Sequence, residues 1–177
     1  MGQRIIITLV IAFVALVAST AALAQTLTAT ANVAGTAGIS LNMPSSPTMT
    51  DVLDGTDHTV SYAADLGLVD ARGTSAGWNL QISATNFSDG AGHTLAPGTV
   101  TAVSAACHAG STCTAASSSG ITYPLNVTAT AAKFFNAASN TGLGKIDVTP
   151  TVQVAIPGNA YAGTYTSTVT LAAATGP

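Results

Sequence analysis

Apolar residues recur at every second position over most of this chain, and that period limits what it can fold into. Val60, Tyr62, Ala64, Leu66 and Leu68 alternate with Ser61, Ala63, Asp65 and Gly67, and Trp78, Leu80 and Ile82 alternate with Asn79, Gln81 and Ser83. The same spacing joins Ile121, Tyr123, Leu125 and Val127. It joins Ile146, Val148, Val152, Val154 and Ile156, and finally Tyr165, Val169 and Leu171. Side chains two apart share one face of a strand, so each run predicts a strand with one buried and one outward face. Weaker runs lie at 26–33, 37–43 and 99–105, and only 131–139, with Phe134 and Phe135, suits a short helix.

The outward positions are filled by Thr, Ser and Asn instead of charge. Of 177 residues only 6% are charged, against 47% hydrophobic. A usual soluble domain carries about 25% charged residues. Threonine reconciles this with solubility, because it is β-branched and yet carries a hydroxyl. Four Lys+Arg cannot form the basic face that nucleic acid requires, so nucleic acid is not an expected partner. All seven acidic residues are Asp, and without Glu a helical bundle has little to build on. Pro44-Ser45-Ser46-Pro47, Asp54-Gly55, Asp89-Gly90-Ala91-Gly92 and Pro157-Gly158-Asn159 supply turns. Pro124 and Pro150 fall inside strand patterns, which predicts edge strands or bulges there. The expectation is an all-β, antiparallel β-sandwich of about eight strands, Greek-key and immunoglobulin-like in connectivity.

The N-terminus reads as an address. Arg4 precedes an apolar run from Ile5 to Ala18, and Ala22-Leu23-Ala24 offers a small-x-small cleavage pattern. A signal peptide over 1–24 is expected, leaving 25–177 as one exported domain with no membrane span after cleavage. In an oxidising compartment Cys107 and Cys113, the only cysteines, form a disulfide closing a small loop. A metal site built on Cys107, His108 and Cys113 would lack a fourth ligand nearby.

Catalytic patterns are absent. The chain has no phosphate loop, no HExxH and no G-x-S-x-G. His58, His93 and His108 sit in turn-rich stretches and read as exposed loop residues. Asp51, Asp54 and Asp57 are spaced by three, unlike the alternate ligands of an EF-hand, and read as a solvated acidic loop. The chain is therefore expected to be no enzyme and to need no cofactor or metal.

One stretch concentrates rare residues. Asp70-Ala71-Arg72-Gly73 leads into Trp78-Asn79-Leu80, which holds the only Trp of the chain. Asp70 and Arg72, two apart, project to one side of a strand and are expected to pair and fix the turn that delivers Trp78. As an exposed pair they would contribute about 0–1 kcal/mol. Two readings of Trp78 stay open. As a core anchor its burial contributes about 4–6 kcal/mol as an upper bound. As an exposed indole its flat face would stack on the C–H groups of a sugar.

These residues resemble the WxL surface-domain family of Gram-positive bacteria, in which Trp-x-Leu follows an Asp-x-Arg-Gly turn and recurs near the C-terminus. The tail from Ile156 to Leu171 is similar to that family's closing hairpin, although Leu171-Ala172-Ala173 stands where the second Trp-x-Leu falls. The resemblance implies a protein of the cell surface that holds non-covalently to cell-wall polymer or to other surface proteins. It points to Trp78, Asn79, Leu80, Tyr165 and Leu171 as binding residues. A weaker likeness, to secreted fimbrial and spore-coat-type subunits, rests on the Thr-rich tail. There, residues 26–33, alternating Leu27, Ala29, Ala31 and Val33, would be donated to a neighbour's sheet edge and build a fibre.

Overall fold

The computed structural model describes residues 30–36 and 38–177. Its contacts divide the chain into the units Met1–Asn32 and Val33–Pro177. Of the first unit only 30–32 are described, and they carry no strand. The expected signal peptide and positions 26–29 of the expected donor segment lie outside the described residues.

The second unit is built from strands alone; the described residues contain no helix. In chain order the strands are β1 (Ile39–Asn42), β2 (His58–Ala63), β3 (Leu66–Asp70), β4 (Trp78–Ala84), β5 (Phe87–Ser88) and β6 (Thr94–Leu95). Then follow β7 (Thr99–Cys107), β8 (Leu125–Asn126), β9 (Ala132–Ala137), β10 (Gly144–Ile156) and β11 (Val169–Thr175). Three of these eleven, β5, β6 and β8, span two residues each; the other eight match the expected number but not the expected set. The 60–68 run splits into β2 and β3, the 121–127 run yields only β8, and β9 stands where a short helix is expected.

Two antiparallel sheets make the sandwich. One has the order β1-β3-β10-β7-β8, with β2 also on β10; the other has the order β11-β4-β9. From β3 onward the longer strands alternate between the sheets, so β3, β7 and β10 lie in the first while β4, β9 and β11 lie in the second. The core forms where Leu66, Leu68, Val100, Ile146 and Val148 of the first sheet meet Trp78, Leu80, Ile82 and Phe134 of the second. The outward face of β2 presents Thr59, Ser61 and Ala63, all exposed.

One expectation is corrected, and of the two alternatives for Pro150 the bulge holds and the edge strand does not. Residues 131–139 form no helix, because β9 completes the second sheet against β4. The register passes from Leu80↔Phe135 to Gln81↔Lys133, leaving Phe134 as an extra residue. That bulge lets adjacent phenylalanines both be buried, which a regular strand would place on opposite faces. Pro150 is likewise not on an edge strand. It lies in the middle of β10, the central strand, between β7 and the junction of β2 and β3. Its carbonyl accepts from Ala64 N–H (3.1 Å) at the break between those two strands, so its missing donor falls where the ladder is already interrupted. The bulge itself is adjacent, between Thr151 and Val152 against β7. Pro124 does precede an edge strand, the short β8.

Candidate functional site

β3 ends and β4 begins on either side of the Arg72–Gly77 turn, and the side chains there interlock. Arg72 Nε donates to Asp70 Oδ1 and Nη2 to Asp70 Oδ2, both at 2.8 Å. Nη2 also reaches the Gly77 carbonyl (2.7 Å), and Nη1 reaches Thr175 Oγ1 at the end of β11 (3.0 Å). One guanidinium therefore ties the first sheet, the turn and the second sheet together. The pair is not on the surface: side-chain exposure is 8% for Arg72 and 0% for Asp70. The expectation of an exposed, weakly contributing pair is corrected, because the turn folds back over the strand ends and encloses it. The Arg72 guanidinium holds the Asp70 carboxyl below its usual range, against the opposing effect of burial.

Trp78 follows at once. Its indole has 0% exposure, its Nε1–H donates to the Gly142 carbonyl (2.8 Å), and its ring lies 6.0 Å from that of Phe135. This is the core-anchor position; no indole face is presented to a ligand in this fold. Asn79 is buried and donates to the Gly176 carbonyl (2.7 Å), while Leu80 has 0% exposure. The β4–β11 register sets Thr175 opposite Trp78 and Ala173 opposite Leu80. The stretch Leu171-Ala172-Ala173, where the second Trp-x-Leu falls, thus runs alongside Ile82, Gln81 and Leu80 in the same sheet, with Leu171 in the place of the second Trp. Leu171, half-buried, stands opposite Ile82 on that ladder. The Cys107–Cys113 disulfide closes the loop after β7.

The profile of a family described as WxL domain, surface cell wall-binding, matches residues 48–174, more than half of the chain and nearly all of the sandwich. The chain belongs to the WxL domain family. It is a protein of the cell surface that associates with the cell wall. A comparison with curated proteins gave no match.

Within this WxL domain Tyr165 lies apart from Trp78, in a second cluster. The β5–β6 ribbon is held to the tail by a two-way backbone bridge between Ser88 and Thr166, each at 2.9 Å. Asp89 shapes the ribbon's turn, accepting from the backbone N–H groups of Ala91 (2.8 Å) and His93 (3.0 Å). Its other oxygen faces His93 Nδ1. That contact, foremost, keeps the Asp89 carboxyl below its usual range. The His93 ring in turn stacks on Tyr161, with centroids 3.8 Å apart and planes 16° apart, and the Tyr165 hydroxyl donates to the Tyr161 carbonyl (3.0 Å). Together with the Pro157–Ala160 turn these residues line a concave site of about 220 Å³.

His93 and Tyr161 were missed as a pair by sequence reasoning, since 68 positions separate them. The usable signal was Tyr161 and Tyr165 flanking Gly163 in a charge-free tail. The other histidines also find carboxylates, His58 at the start of β2 and His108 exposed in the loop after β7 as expected. His58 sits between Asp51 (Nδ1, 2.9 Å) and Asp54 (Nε2, 3.0 Å), and His108 Nδ1 meets Asp147 Oδ1 (2.9 Å). The third acidic-loop residue, Asp57, accepts from Gly158 N–H (2.9 Å).

Proposed function

We propose that this protein is exported by its N-terminal segment 1–24, performs no catalysis, and holds non-covalently to a wall polymer, with peptidoglycan the expected ligand. The observation that carries this reading is the WxL match spanning nearly all of the double sheet, the Asp70–Arg72–Trp78 lock included. Because Trp78, Asn79 and Leu80 are enclosed, their part in binding is to hold the two sheets in one rigid relation; the polymer meets residues on the surface around them. A rigid scaffold presenting hydroxyls and amides suits a neutral glycan, since few ordered charges need to be desolvated. Sedimentation with isolated cell walls tests it. The 25–177 chain is expected to pellet with walls and to stay soluble without them, and protein that remains in the supernatant with walls present would overturn the reading.

A further inference from the structure

We infer that the pocket formed by His93, Tyr161 and Tyr165 is a saccharide-binding subsite that takes one uncharged pyranose ring of a glycan. The inference rests on the wall-associating reading above and gives it a location. Tyr161 is 63% exposed, an unusual state for a large aromatic side chain, yet its ring is held in place. His93 stacks on it, Asp89 orients His93, and the Tyr165 hydroxyl anchors the Tyr161 backbone. A pre-positioned ring loses little freedom on binding, which is where much of the cost of weak association lies.

The lining chemistry selects the ligand. A pyranose ring has C–H groups on one face and hydroxyls around its rim. The outer face of Tyr161 and the side chain of Leu95 suit the first, since an aromatic face is electron-rich and C–H groups are its partners. Thr94 and the Asn159 amide offer donors and acceptors to the second. With Nδ1 engaged by Asp89, the His93 ring leaves Nε2 as one more polar atom for a rim hydroxyl. No Lys or Arg lines the site, so nothing there compensates an anionic sugar. At about 220 Å³ the cavity is below the size that encloses a drug-like ligand, and fits a single ring of a longer chain that runs out over the surface.

The test titrates isotope-labelled 25–177 chain with two neutral oligosaccharides, chitotetraose and cellotetraose, and follows backbone amide shifts by NMR. Saturable shifts centred on Thr94, Leu95 and 159–165 are expected with at least one sugar. Tyr161→Ala should weaken binding by roughly tenfold or more at unchanged thermal midpoint, because the side chain is exposed. Asn159→Ala should weaken it less. No shifts in these residues with either sugar, or full affinity retained by Tyr161→Ala, would overturn the subsite. Pelleting with walls is read separately. Wild-type chain that binds sugar through Tyr161 but fails to pellet keeps the subsite and sinks the wall reading. Wild-type chain that pellets without any sugar response does the reverse.

Discussion

Arg72 and Asp70 meet through two parallel hydrogen bonds of 2.8 Å, and the carboxylate has no exposed side-chain surface. Fork geometry of this kind satisfies both oxygens at once, and it repays the cost of burial only while both partners are present. Arg72→Ala would leave a buried charge and free the Gly77 carbonyl, so it should cost about 3 kcal/mol, read by chemical denaturation. Replacing both partners, as Asp70→Leu with Arg72→Met, should recover most of that loss; a double variant as unstable as the single one would refute the account. The pH sign follows from the lowered Asp70 value. Its contribution is present above the unfolded carboxyl value of about 3.9 and is lost as pH falls through the lower folded value. Wild type should therefore lose stability on acidification below about pH 4, and Arg72→Ala should lose this component of the slope.

Trp78 and Gly142 form the second lock. Trp78→Phe keeps most of the apolar volume but leaves the Gly142 carbonyl without its donor, which should cost about 1–3 kcal/mol. Trp78→Ala adds a cavity and should cost about 3–5 kcal/mol. Gly142 has φ +73°, and a Cβ there would stand 2.5 Å from Trp78 Nε1 and from Ala137 Cβ. Gly142→Ala should thus destabilise as well, although it removes no contact. Wall pelleting separates these effects from binding: Trp78→Phe should pellet like wild type wherever it is folded. A folded Trp78→Phe that has lost pelleting would mean that the indole itself is the binding group.

Much of the sandwich was written in the alternation. Leu66, Leu68 and Asp70 of β3 and Trp78, Leu80 and Ile82 of β4 are buried in the phase the apolar residues dictate, since burial of a strand face is a period-two property. Phe134 and Phe135 broke that phase, and a bulge resolved them. Pro150 met the bulge alternative and not the edge one, and which of the two applies depends on what neighbouring strands do, a property of the sheet. Burial of the Asp70–Arg72 pair was equally illegible, because Gly77 and Thr175, which complete it, approach only after the sheets pack. The Tyr161–His93 stack joins segments whose proximity depends on the Ser88–Thr166 bridge.

His58 supplies a prediction of opposite pH sign. Both its ring nitrogens face carboxylates, an arrangement that only the doubly protonated imidazolium satisfies. Hydrogen bonding to Asp51, above all, raises its pKa from the ordinary value, assisted by Asp54. A raised value means that the contribution is fully present below the unfolded value of about 6.5 and disappears as pH climbs through the folded one. NMR titration of the His58 ring should give a midpoint above 6.5, and Asp51→Asn should move it down. A wild-type midpoint at or below 6.5 would contradict the clamp.

The Cys107–Cys113 cross-link makes the mildest demand. The two residues are six apart, and the chain-entropy model gives a loop of that length only about 2 kcal/mol. The surrounding backbone has its own ties. His108 N–H donates to the Lys145 carbonyl (3.0 Å), Thr114 N–H to Leu143 (2.9 Å) and Gly142 N–H to Thr114 (3.0 Å). These bonds place the loop after β7 against β10 and support the Gly142 turn that receives the Trp78 indole. The double variant Cys107→Ser with Cys113→Ser should consequently stay folded, with a loss near 2 kcal/mol in denaturation and unchanged pelleting with walls. Global unfolding of that variant would show instead that the cross-link, and not the backbone bonds, holds the Gly142 carbonyl in place for Trp78.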